Sequence, residues 1–114
     1  MKLSLPYPAK ELWPNARPHW AAKARETKKL REYAYWLAKQ ATPPKFGNGP
    51  IPVKITIFPQ RYGPVPDRDN CLSACKAALD GIAQAIGIND RYFHPVISIG
   101  AERASKVIVE VGHG

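Results

Sequence analysis

The sequence predicts a small α+β domain, with two helices packed against a mixed sheet. Two stretches, 19–41 and 70–86, set apolar residues at three- and four-residue steps, the period of a helix with one buried face. Shorter runs of alternating or β-branched residues fall at 2–5, 52–58, 95–100 and 106–111, as strands do. Proline and glycine punctuate the intervals. The order is β-α-β-α-β-β, and 114 residues suffice for a single domain, 1–114, with a modest core.

Residues 2–5 read as a short strand. Pro6, Pro8, Pro14 and Pro18 keep 6–18 as a draped loop, because each removes a backbone donor. The first helix carries Trp20, Ala24, Thr27, Leu30, Ala34, Leu37 and Ala38 on one face. Arg25, Lys28, Lys29 and Lys39 gather on the opposite face, with Glu32 and Trp36 among them. Thr42-Pro43-Pro44 stops the helix, and 45–50 form a Gly/Pro loop. Pro52 to Phe58 alternates as a half-buried strand, and Pro59 to Pro66 is a loop with Arg61, Tyr62 and Gly63. The second helix runs from about Asn70 to Ile86 and ends at Gly87, a residue suited to the left-handed position after a helix. The strands at 95–100 and 106–111 are expected to pair as an antiparallel hairpin through 101–105. There are no repeats and no low-complexity segment.

Net charge of +8 favours a polyanionic partner, nucleic acid first. No segment approaches the roughly 20 apolar residues of a membrane span. The opening Met1 to Pro6 is too short and too rich in proline for a secretory signal. Cys71 and Cys75 stand four apart on a helix, without the neighbours that a zinc site needs. They read as two small helix residues, at least one of them packed, and a cytoplasmic setting follows.

Against this basic background, carboxylates collect at the two ends of the second helix. Asp67 and Asp69 precede it in Asp67-Arg68-Asp69-Asn70; Asp90 follows it in Gly87-Ile88-Asn89-Asp90. In an extended Asp67–Asp69 stretch both acids would point to one side. Asp69 or Asn70 would otherwise be a helix N-cap, and Asp90 a turn residue. Asp69, Ser73, Lys76 and Asp80 form a stripe apart from the core arc of Leu72, Cys75, Leu79, Ile82, Ala83 and Ile86. Asp69 and Lys76 lie within about 20° around the axis and roughly 10.5 Å along it. The lysine therefore leans back toward Asp69, and Asp80, one turn on, can pair with it. Asp90 joins the other acids only if the chain doubles back after Gly87.

Such a set suits Mg²⁺, which prefers oxygen ligands and is held by a few carboxylates together with water and phosphate. The chemistry would be metal-assisted phosphodiester hydrolysis, with the lysine ammonium offsetting negative charge on the phosphorus centre. His19, His94 and His113 are scattered, and there is no Gly-rich phosphate loop.

These motifs resemble the RusA family of Holliday-junction resolvases. The matching run is Asp67-Arg68-Asp69-Asn70, Lys76-Ala77-Ala78-Leu79-Asp80-Gly81-Ile82 and Gly87-Ile88-Asn89-Asp90, similar to the family's Asp-x-Asp-Asn, Lys-x-x-x-Asp-Gly-Leu and Gly-x-x-x-Asp-Asp. Leu5-Pro6-Tyr7-Pro8 with Asn15 and Trp20 is similar to its opening. The resemblance covers most of the chain in motif order. It implies that Asp67, Asp69 and Asp90 are catalytic and bind Mg²⁺ or Mn²⁺, and that Lys76 is the catalytic lysine. It also implies a homodimer that nicks two strands of a four-way junction, in the cytoplasm of a bacterial or phage-infected cell. Asn89 departs from the Asp-Asp pattern, so only Asp90 serves there. The seven-residue step from Asp69 to Lys76 is one of two spacings that the family uses.

Lys23, Arg25, Lys28, Lys29, Arg61 and Arg68 are the candidates for DNA phosphates, against the plainer reading of a solvated basic face. Tyr62 reads as an ordinary exposed loop residue, with stacking at a branch point as its functional alternative. The competing function is a basic nucleic-acid-binding protein without catalysis, its aspartates serving as caps and turns.

Overall fold

The computed structural model describes residues 1–41, 46 and 49–112. Strands β1 (Lys2–Pro6), β2 (Ile51–Phe58), β3 (Phe93–Ile99) and β4 (Lys106–Val111) form one sheet in the order β1-β4-β2-β3. β2 and β3 run parallel, and the other neighbours are antiparallel, so the sheet is mixed. Helices α1 (Trp20–Gln40), α2 (Arg68–Ala74) and α3 (Lys76–Ile86) complete an α+β fold.

Alternation along the strands sets the core. Leu3, Leu5, Ile51, Val53, Ile55, Ile57, Val107, Val109 and Val111 are all buried. Ser4, Pro52 and Lys54 between them are exposed. Leu30, Ala34 and Ala38 of α1 and the apolar residues of α2 and α3 join the same cluster. α3 is buried on more than one side, because small residues face α1. At Gly81 a Cβ would collide with the Arg31 carbonyl oxygen and come within 3.1 Å of the Tyr35 nitrogen. Only glycine lets the two helices approach this closely. Cys71 and Cys75 are packed and free, as their sequence setting implies.

The predicted hairpin is not formed: β4 lies between β1 and β2, and β3 takes the edge on the far side of β2. Pairing on both sides completes the β2 ladder and buries Ile55 and Ile57 fully. The connection crosses the end of β2, with Gly100 N donating to Ile57 O at 2.8 Å and Ser105 N to Pro59 O at 3.0 Å. β3 starts at Phe93, before Pro95 rather than at it. An edge strand tolerates the missing N–H of Pro95.

The helix expected over 70–86 starts earlier and is broken. Asp67, not Asp69 or Asn70, is the N-cap: its Oδ1 accepts from Asp69 N at 2.8 Å. Arg68 and Asp69 are therefore helical, and the extended arrangement of Asp67 and Asp69 does not occur. At Cys75 the backbone (φ −94°, ψ 0°) leaves α-helical geometry, and its N–H is shared among the Cys71, Leu72 and Ser73 carbonyls. The chain resumes as α3 at Lys76.

In α1, Trp20 is 77% exposed and Ala24 is also exposed, so the expected apolar face begins only further along. Full burial in α1 starts at Leu30. The draped loop contains a single 3₁₀ turn at Lys10–Leu12, beside which Trp13 stacks on Tyr7 at 5.5 Å. The stop expected at Thr42-Pro43-Pro44 lies outside the described residues. No described helix is long and apolar enough to cross a membrane.

Candidate functional site

Gly87 turns the chain back toward the helix. Its φ of 72° places it in the left-handed region. Its N–H reaches Gln84 O at 3.3 Å, and Ile88 N reaches Ala83 O at 3.0 Å, a Schellman closure. Asn89 then caps a short 3₁₀ turn, accepting from Arg91 N at 3.0 Å, and Asp90 is the first residue of that turn. The reversal returns Asp90 to the helix that the chain has just left.

There it lines a cavity of about 270 Å³ with Leu72, Ser73, Lys76, Leu79, Asp80, Phe93 and Pro95. α2 supplies Ser73, the start of α3 supplies Lys76, and the next turn supplies Asp80. A second cavity, of about 410 Å³, lies on the other side of the same wall. Ser73, Lys76 and Asp80 line both, and Lys23 and Thr27 of α1 join them on the second side. Lys76 thus stands on a ridge between a carboxylate pocket and a basic one.

Asp80 and Asp90 are neighbours in the first cavity. Burial raises the Asp80 carboxyl above its usual range. Asp90 raises it further, by accepting a hydrogen bond from the protonated form and by repelling the charged one. The positive charges of Lys76 and Arg31 oppose the rise. Two carboxylates this close repel each other when both ionise.

Asp67 and Asp69 occupy the start of α2, where negative charge favours the helix dipole. Asp69 lies one turn before Ser73 on the same helical face, but neither Asp67 nor Asp69 lines the first cavity. Among the described residues, no three His, Cys, Asp or Glu side chains are grouped so as to hold a metal ion. The close acidic pair is Asp80–Asp90, rather than a trio of Asp67, Asp69 and Asp90. The sequence did place Asp80 on the stripe of Lys76, but as its ion-pair partner. No Lys76–Asp80 pair within 4.0 Å forms among the described residues. The Asp80–Asp90 contact was hidden because it depends on the turn at Gly87.

No family model matches the chain. A protein of Xylella fastidiosa (strain Temecula1), described as uncharacterized, is 37% identical over 116 residues, covering 96% of this chain and 74% of its own length. The chain belongs to the family of that protein. Identity over nearly the whole chain makes the α+β fold a property of the family.

The basic candidates Lys23, Arg25, Lys28, Lys29, Arg61 and Arg68 are all exposed. Lys28 lies 4.0 Å from Glu32 and Lys29 3.8 Å from Glu26, long surface pairs that leave both lysines largely available. Lys23 lines a cavity that Lys76 also lines. Cys71 and Cys75 take no part in this chemistry. Burial pushes their thiols up to about 11 and about 12, with the charge of Asp67 adding to the first and that of Cys71 to the second.

Proposed function

We propose that this protein is a metal-dependent, structure-specific endodeoxyribonuclease that resolves four-way junctions and related branched DNA. The observation that carries this reading is the meeting of Asp90, Asp80 and Lys76 around one cavity in a chain of net charge +8. The resemblance of the three motifs to RusA-type resolvases supports it.

The donor chemistry fits a hard cation. Mg²⁺ is commonly held by one or two carboxylates with water and substrate phosphate completing the shell. Asp80 and Asp90 would supply that pair, with Asp67 and Asp69 close in sequence at the start of α2. Bound there, Mg²⁺ or Mn²⁺ would lower the pKa of a water and polarise the phosphoryl oxygen. The chain's own residues do the rest. Lys76 offsets the negative charge that builds on the phosphorus oxygens as water adds and the P–O bond to the leaving sugar breaks. Lys23, in the adjoining cavity, holds a neighbouring phosphate. Arg25, Lys28, Lys29, Arg61 and Arg68 supply a salt-sensitive hold on the DNA backbone. A homodimer would present two such sites to the near-two-fold symmetry of a four-way junction. The working compartment would be the cytoplasm of a bacterial or phage-infected cell.

The capping role of Asp67 favours a second reading, a basic DNA-binding protein without catalysis. One assay separates the two. Purified protein is incubated with a synthetic four-way junction, with and without Mg²⁺ or Mn²⁺. Paired, metal-dependent nicks that are lost in Asp90→Asn and Asp80→Asn, with binding retained, support the nuclease. Binding without nicking under every metal condition rejects it.

A further inference from the structure

The loop between β2 and α2 is tied down at both ends of its tip. Arg103, in the β3–β4 connection, donates from Nη1 to Gln60 O and to Gly63 O, each at 2.9 Å. Ser105 N holds Pro59 O at 3.0 Å just below. Gly63, at φ 99°, makes the turn that an L side chain resists. Between these anchors stand Arg61 and Tyr62. Tyr62 is 78% exposed, and the Arg61 guanidinium sits 5.4 Å from its ring centroid.

We propose that this tip is a stacking platform for an unpaired nucleobase at a DNA branch, with Tyr62 as the contact and Arg103 as its positioning residue. The inference rests on the DNA-binding part of the function proposed above. A large aromatic ring held out into solvent contributes nothing to the core. Residues 59–66 contain no acid, and the chain as a whole is strongly basic, so the ring faces a field that attracts anions. An aromatic face beside an arginine is the pairing that single-stranded DNA uses, because every base has a π-face and each is followed by a phosphate. The bracing by Arg103 reduces the ordering cost on binding. The loop leads directly into α2, whose Ser73 lines the proposed site. Tyr62 precedes Asp67, the cap of that helix, by five residues, so the tip and the start of α2 lie within about 18 Å. That is about five steps of duplex at about 3.4 Å each.

The test uses the full chain in EDTA, so that no strand is cut, and a four-way junction carrying 2-aminopurine at the crossover. The wild type is expected to bind and to change the 2-aminopurine fluorescence. Tyr62→Ala should bind at least about fivefold more weakly and lose the fluorescence change, while Tyr62→Phe keeps both. Arg103→Gln should lose the same fluorescence change, which removal of a charge alone would not do. The double variant should be no worse in fluorescence than Tyr62→Ala. If Tyr62→Ala keeps the wild-type signal and affinity, the stacking role is wrong, although the protein still binds DNA. If the wild type fails to bind the junction at all, the DNA reading falls, and this inference with it.

Discussion

Asp80 and Asp90 line the wall of one cavity, although one is inside a helix and the other follows it, and Asp90 helps to hold the Asp80 carboxyl above its usual range. The Asp80 carboxyl, raised first by burial and then by Asp90, carries a cost that depends on pH. The folded state holds the Asp80 proton more tightly than the unfolded chain does, so it binds more protons as pH climbs past the ordinary carboxyl value of 3.8. Stability is then lost as pH rises from that value through the raised one, and the penalty is fully present above it. Asp80→Asn removes the charge. It should be more stable than wild type at about pH 7 and nearly equal at about pH 3.5, read from urea midpoints at the two pH values. An equal gain at both would show that the Asp80 charge is not the cause.

Lys76 begins α3, directly after the break at Cys75, and this places it on the wall of the cavity that Asp80 and Asp90 also line. Lys76→Ala should slow junction cleavage by about 10²–10³-fold, the usual loss when one preorganised electrostatic donor is removed. Junction binding should persist, and Lys76→Arg should recover part of the rate. Single-turnover cleavage under saturating protein measures this directly. A rate within about twofold of wild type would remove Lys76 from the chemistry.

The Asp80-Gly81 pair belongs to two different arguments. Asp80 faces the cavity, whereas Gly81 lets α1 and α3 touch. Gly81→Ala drives a methyl into the Arg31 carbonyl and should destabilise the fold by about 1–3 kcal/mol. The urea midpoint should fall with an unchanged slope. Because Arg31 also acts on Asp80, a shift in the Asp80 titration is expected in the same variant.

The paired cysteines offer a check on packing. With thiols at about 11 and about 12 instead of 9.0, the thiolate fraction at about pH 8 is at least roughly 100-fold below that of a free cysteine. Both are also sealed in the core. An aromatic disulfide reagent should label neither thiol in the native protein and both in urea. Rapid labelling under native conditions would mean that α2 opens readily.

The fold class and most element positions were legible because they depend on local periodicity: the alternation from Ile51 to Phe58, and the helical steps around Leu30, Ala34 and Ala38. What escaped depends on distant partners. The place of β4 between β1 and β2 is decided by which strands pair with the two edges of β2, which no short window contains. The exposure of Trp20 reflects what packs against α1, which the pattern of α1 does not contain. The early start of α2 was visible in principle, since Asp67 is two residues from Asp69 and an aspartate commonly caps at that spacing. The candidate site followed the same rule. The stripe of Ser73, Lys76 and Asp80 came from helical geometry, and its meeting with Asp90 from a turn whose direction only Gly87 and its hydrogen bonds set.

Lys23 is the basic residue whose placement most sharply separates a site from a diffuse field. It lines the same cavity as Lys76, whereas Lys39, near the other end of α1, lies 5.7 Å from the Tyr35 ring centroid. If phosphates are held at the cavity, Lys23→Ala should lower the slope of log affinity against log salt by about 0.9, one phosphate contact. Lys39→Ala should leave that slope unchanged. Junction binding measured across a salt series in EDTA gives both slopes. Equal reductions in the two variants would mean that the +8 charge acts as a general attraction, with no phosphate seated between α1 and α3.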